Sequence, residues 1–245
     1  MSAPMSRQTT TGISMIVYPE NWRQDYYKYA DVSSVGDAPV GAFVELLEDV
    51  LDSIEVDTLA YSGGIDSTVM LDILSHFYQA HTFTIASRNE HPDALFAKIG
   101  SLIYQTKHQT MITGINANGN VYETFFDMLP VDVTKIICCD GIDEFMCGYY
   151  DHQTEPEEKY AYYLGRLTPD HLEALNSESK GVEIYLPYLN AEMIDFCTSI
   201  PLSAKVDDKH RKIYIRRVAG FLGIDDTIID RNKYGFCDAF LTEDK

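Results

Sequence analysis

The 245-residue chain is short of positive charge. Lys and Arg number 19 against 38 Asp and Glu, for a formal charge of −19 and a pI near 4.6. So acidic a protein has little with which to neutralise a phosphate backbone, which excludes sequence-independent nucleic-acid binding and docking on anionic membranes. Long hydrophobic runs are also missing. No stretch approaches the roughly 18 apolar residues of a membrane span, and the N-terminal MSAPMSRQTTTGISM lacks the apolar core of a secretory signal. Cysteine is scarce and unpatterned: Cys138, Cys139, Cys147, Cys197 and Cys237, an odd number with no C-x-x-C. That is neither a disulfide framework nor a zinc-ligand set, and it fits a reducing, cytoplasmic setting. No repeat and no low-complexity segment occurs.

What is present is an ordinary globular composition, 45% hydrophobic, long enough for a sizeable core. The charge is uneven. Residues 205–233 hold eight Lys and Arg against five acids, a net +3 inside a chain whose remainder is −22. A basic stretch in an acidic protein implies an anion to be met.

Apolar positions Val40, Phe43, Val44, Leu46, Leu47, Val50, Leu51 and Ile54 recur at helical spacing and predict a helix over 40–54. Short apolar runs at 56–61, 81–86, 109–112 and 135–139 predict strands, alternating with helices at 67–79, 92–106 and 121–129. That alternation predicts a doubly wound α/β fold with a mostly parallel sheet. After residue 150 only helical stretches are read, at 157–178, 190–199, 209–222 and 225–231. The expected organisation is an N-terminal arm over 1–35 and one domain over 36–240, of which 151–240 is a helical cap.

Two segments carry chemistry. Ser62-Gly63-Gly64-Ile65-Asp66-Ser67 follows a strand and opens a helix. Glycines let a ligand approach the backbone, and the helix N-terminus presents free N–H groups to phosphate. A carboxylate, Asp66, beside phosphates makes sense with Mg²⁺ between them. The second segment, Asp140-Gly141-Ile142-Asp143-Glu144-Phe145-Met146-Cys147-Gly148-Tyr149, also follows a strand. Three carboxylates in five residues repel one another unless a cation or a function holds them together.

The first hexapeptide is the S-G-G-x-D-S motif of the pyrophosphate-loop ATP pyrophosphatases, which split ATP between the α and β phosphates. The second segment resembles the G-E-G-A-D-E-L-F-G-G-Y stretch of asparagine synthetases. Three further pieces resemble that family in the same order: Glu183-Ile-Tyr-Leu-Pro187-Tyr-Leu-Asn190, Lys212-Ile-Tyr-Ile-Arg216 and Arg231-Asn-Lys233-Tyr-Gly235-Phe236. The resemblance covers about 40–237.

The resemblance implies an enzyme that adenylates the side-chain carboxylate of aspartate with ATP, releases pyrophosphate and admits ammonia to the acyl carbon. It implies ATP contacts at Ser62, Gly63, Gly64, Asp66 and Ser67, and Mg²⁺ at Asp66 and Asp143. Ile85 and Gly141 would lie by the adenine and ribose. Lys212, Arg231 and Lys233 would meet phosphate charge, and Asp140 would assist amine attack. Its partners would be small molecules: ATP, an amino acid and ammonia.

The chain departs from the family at Asp140 for Glu, Tyr185 for Arg, Asn190 for Asp, and Cys139 and Cys147 for glycines. Most of these departures fall where the amino-acid substrate is expected, and Tyr185 and Asp140 raise a second reading: a ligase for another carboxylate, similar to β-lactam synthetases. Ser2 rather than Cys follows Met1, and only about 55 residues precede the first core strand, so no glutaminase domain is expected. Ammonia would be free or come from a separate glutaminase. A third reading is a nucleotide-binding subunit that has lost turnover.

Overall fold

The structure is a computed structural model, and it describes residues 16–17, 39–113, 120–167 and 172–232. Six strands form one sheet: β1 (Ile16–Val17), β2 (Thr58–Ala60), β3 (His81–Ala86), β4 (Lys107–Ile112), β5 (Lys135–Ile137) and β6 (Glu183–Tyr185). Their order is β1-β6-β5-β2-β3-β4, and every pairing is parallel. Central strands of a parallel sheet are covered on both faces, so they read as continuous apolar runs. Leu59, Ile136, Ile137 and Ile184 are all fully buried.

Helix α1 (Val40–Ile54) has the expected bounds and buries Phe43, Val44, Leu47, Val50 and Leu51 on one side. It packs against α2 (Ile65–Leu74), and later against α8 (Ala191–Ser199) and α9 (Ile213–Leu222). Helix α3 (Pro92–Ile103) lies on β3 and β4. Helices α4 (Val121–Met128), α5 (Ile142–Phe145), α6 (Pro156–Arg166), α7 (Glu173–Ser177) and α10 (Asp226–Ile229) complete the described set.

Three expectations are corrected. The part after residue 150 is not purely helical, because Glu183–Tyr185 enters the sheet between β1 and β5. Three residues are too few to show a period, yet Ile184 sits fully buried in the sheet's middle. Nor does the sheet begin after residue 36: Ile16 and Val17 pair with Ile184 and Tyr185, so part of the N-terminal arm belongs to it. The rest of that arm lies outside the described residues. The helix read over 157–178 is two helices, α6 ending at Arg166 three residues before Pro169, which disfavours helix in its predecessor.

The topology positions the site. The chain runs β2 to β3 to β4 in one direction, then returns to β5 on the other side of β2. Ligands in open parallel sheets bind where the order reverses, outside the carboxyl ends of the two strands. Here those ends are Ala60 and Ile137, and the two chemistry-bearing segments follow them directly.

Candidate functional site

The first loop is held tight by its own hydroxyls. Ser62 Oγ and Ser67 Oγ lie 3.2 Å apart, and the Gly64 N–H donates to Ser62 Oγ at 3.2 Å. Gly64 caps α2 with no side-chain bond, so the first-turn N–H groups remain for an anion. Gly63 has φ +68°, and a Cβ there would sit 2.3 Å from the Ala97 backbone nitrogen and 2.5 Å from the Phe96 carbonyl carbon. Only glycine lets this loop rest on α3 at that distance.

The second loop leaves β5 through Cys138 and Cys139, turns at Asp140 and Gly141, and enters α5. Gly141 has φ +96°, and a Cβ on it would strike Leu189 Cδ2 at 2.2 Å. This glycine therefore serves close packing beneath the site. Burial, with Asp143 adding to it, pushes the Asp140 carboxyl up to about 6. Glu144 is buried and accepts from the Tyr149 hydroxyl at 2.6 Å; burial and then Asp143 push it up to about 7.

Lys212 joins the loops. It stands at the N-cap of α9 in the left-handed region, φ 53° and ψ 35°, with only 6% of its surface exposed. Its Nζ pairs with Asp66 Oδ2 and, at 2.5 Å, with Asp143 Oδ1. Burial acts to depress its pKa, but the Asp143 and Asp66 carboxylates outweigh it and hold the ammonium well above its ordinary range. Gly148 makes room for this arrangement, since a Cβ there would lie 1.8 Å from Asp143 Oδ1 and 2.5 Å from Lys212 Cε.

The two carboxylates thus converge on one cation. Asp66 Oδ1 is buried and has no hydrogen-bond partner among the described residues, so it has capacity for another. Two carboxylates are the usual protein share of a Mg²⁺ site whose other ligands are phosphates and water. Among the described residues no group of three or more His, Cys, Asp or Glu is placed to hold a metal alone. The residues present fit a Mg²⁺ that arrives with a polyphosphate.

A cavity of about 260 Å³ opens over these groups. Ser62, Gly64, Asp66, Ser67, Asp140, Asp143, Lys212 and Arg231 from the sequence reading are on its wall. Gly63 lies beneath, against α3. Ile85 is buried in β3, and neither it nor Gly141 reaches the wall. Lys233, Gly235 and Phe236 lie outside the described residues.

The substituted family positions divide. Cys139 is on the wall. Tyr185 is not: its hydroxyl donates to Glu183, 3.2 Å away. Asn190 is a helix cap, its side chain accepting from the Glu192 N–H at 2.9 Å. Cys147 is fully buried. Of these positions, Cys139 and Asp140 line the cavity, whereas Tyr185, Asn190 and Cys147 do not.

Six contributors were given no role from the sequence. Arg211 lines the cavity, donates to the Gly148 carbonyl at 2.5 Å and lies 3.7 Å over the Tyr150 ring. Asp93 meets Arg231 across 138 residues of chain. Tyr188 donates its hydroxyl to the Asp66 carbonyl at 2.9 Å, tying the Leu-Pro-Tyr-Leu segment to the first loop. Tyr122, with Phe125 and Leu175, supplies an aromatic and apolar wall. Arg211 had a sequence signal in its place beside Lys212 in the basic stretch, and Tyr188 stood inside the Glu183–Asn190 piece; the others had none.

Residues 162–244 match the family model of asparagine synthase. The match covers β6, α8, α9 and α10, and with them Lys212, Arg216 and Arg231. It stops short of both strand-end loops, so their likeness to asparagine synthase rests on the motifs themselves. No curated protein matches the chain significantly.

Proposed function

We propose that the protein is an ATP-dependent, amide-forming ligase of the asparagine synthase type. It would adenylate a carboxylate, release pyrophosphate, and pass the acyl group to ammonia. The observation that carries this reading is the meeting of Asp66, Asp143 and Lys212 at the switch point between β2 and β5. Three residues from three distant segments, the last within the matched region, form one charge cluster around the buried Lys212, beside a loop suited to phosphate.

The chain's own groups divide the work. Ser62, Ser67 and the first-turn N–H groups of α2 would orient the β and γ phosphates. Asp66 and Asp143 would hold Mg²⁺, whose chemistry is to neutralise phosphate charge as pyrophosphate leaves. Lys212, whose ammonium Asp66 and Asp143 hold in its charged form, would stand beside the reacting phosphate as a fixed positive group where negative charge develops. Arg231 sits across the cavity as a second fixed positive group. Asp140, whose carboxyl is pushed up to about 6 by burial and Asp143, would take a proton from the attacking amine at a carboxylate oxygen.

L-Aspartate is the acceptor the family likeness favours, with free ammonia or a separate glutaminase as nitrogen source. A second acceptor class is favoured by one observation: Tyr122, Phe125, Leu175, Ile228 and Ile229 make part of the wall apolar, which suits a larger, less polar carboxylate. The test is incubation with Mg·ATP, ammonium and either aspartate or a carboxylate panel, with AMP and pyrophosphate measured. AMP with aspartate supports the first acceptor, AMP with another acid the second, and none with any acid rejects the ligase.

A further inference from the structure

Arg231 is held from two sides. Nη1 donates to the Ser62 carbonyl at 3.1 Å, and Nη2 pairs with Asp93 Oδ1. The guanidinium carbon lies 5.0 Å from the Phe96 ring centroid. Both Arg231 and Asp93 side chains are 5% exposed, and both line the cavity. This is no solvated surface pair. Asp93 opens α3, the helix on which Gly63 rests, and the His91 side chain accepts from its N–H at 3.2 Å. One short stretch of α3, residues 93–97, therefore supports the loop from below through Ala97 and fixes the arginine beside it through Asp93.

We propose that Asp93 is a positioning residue of the ATP site. It acts through Arg231, whose Nε also donates to the Asn232 carbonyl at 3.3 Å, fixing the guanidinium plane so that the arginine holds the Ser62 carbonyl and keeps its charge on the cavity wall beside the phosphate loop. A lysine cannot replace this arginine, because one ammonium lacks the planar fork that spans a carboxylate and a carbonyl together. The role deepens the ligase reading and rests on its claim that ATP binds here.

The experiment separates positioning from mere stapling. ATP binding is measured by titration calorimetry, and pyrophosphate–ATP exchange gives KM and kcat, for wild type, Asp93→Ala, Asp93→Asn and the double variant Asp93→Ala/Arg231→Met. Denaturation midpoints are measured on all four. Removing one partner of a buried pair destabilises strongly, whereas replacing both by apolar groups is often close to neutral. The double variant is therefore expected to recover stability.

It is not expected to recover function. Its ATP affinity should remain about tenfold or more below wild type, the loss of one charge-assisted contact. Asp93→Asn should raise KM for ATP with a smaller change in midpoint, because an amide oxygen still accepts from Arg231. A stable double variant with wild-type affinity and KM makes the pair structural only and overturns the proposal. If Asp93→Ala does not fold, the double variant and Asp93→Asn still decide it. A wild type that binds no ATP overturns this and the ligase reading together. Binding equal in wild type and double variant overturns this one alone.

Discussion

Replacing Lys212 by Met removes a buried ammonium from between two half-buried carboxylates while keeping most of the side-chain volume. Nζ contacts Asp66 Oδ2 and lies 2.5 Å from Asp143 Oδ1, so the two oxygens are within about 5 Å of each other. Two unit charges about 5 Å apart at an effective dielectric of about 20 repel by about 3 kcal/mol. Breaking a fully buried pair by removing one partner typically costs about 3–5 kcal/mol; with the Asp66 and Asp143 side chains 18% and 25% exposed, the loss expected here is about 2–3 kcal/mol. Against an ordinary total stability of about 5–15 kcal/mol, that is a large, measurable loss. Urea denaturation of Lys212→Met should show it without magnesium.

Added MgCl₂ should then restore the variant more than it helps wild type, because the carboxylates have lost their resident cation. A hundredfold excess over the dissociation constant contributes about 2.7 kcal/mol. A loss under about 1 kcal/mol would refute the burial and pairing on which the site is built. Equal magnesium effects on both proteins would refute Asp66 and Asp143 as a shared metal site.

Other outcomes follow from the same geometry. Gly63→Ala places a Cβ 2.3 Å from the Ala97 backbone nitrogen in a left-handed turn, so it should cost about 1–3 kcal/mol in denaturation and raise KM for ATP. Gly148→Ala drives a methyl against Asp143 and Lys212; circular dichroism should report a folded protein whose pyrophosphate release falls about a hundredfold or more.

Lys205 is 1% exposed and donates to the Tyr160 hydroxyl at 2.6 Å; burial lowers its pKa from 10.5 to about 8, and Cys147 and Cys197 only partly offset this. Between about pH 8 and 10.5 the unfolded chain keeps a proton that the folded chain has released, so this lysine makes stability rise with pH across that window, by about 3 kcal/mol at most. Lys205→Met should therefore be as stable as wild type or more so at pH 7, with that advantage shrinking as pH rises to 10. An advantage that grows with pH would contradict the assignment.

The sheet and most of the site were legible because they are local. The run His81–Ala86 is rich in β-branched and aromatic residues (Thr82, Phe83, Thr84, Ile85), and the structure gives β3 those bounds. Ser62 to Ser67 and Asp140 to Glu144 each sit between a strand and a helix, and strand-end loops of parallel sheets are where ligands gather. Residues 183–185 were misread because a three-residue strand is defined by its neighbours β1 and β5, not by any period of its own. Asp93 was invisible for a different reason. An acid in the first turn of a helix is ordinary by local rules, and only the fold brings Arg231 to it. Asn190 was read as a substrate-side change, yet its side chain caps α8, a role already written in Asn-Ala-Glu at a helix start. Tyr188 is tied to Asp66 by one hydroxyl contact that no spacing encodes.

The most direct measurement of the central claim is isotope exchange between pyrophosphate and ATP, run with magnesium and a panel of carboxylates that includes aspartate. It reads adenylation without requiring the amine. Exchange that depends on both magnesium and one class of carboxylate, and falls to background in Lys212→Met, is the predicted result. No exchange with any carboxylate in a protein that binds ATP, or undiminished exchange in Lys212→Met, would contradict it.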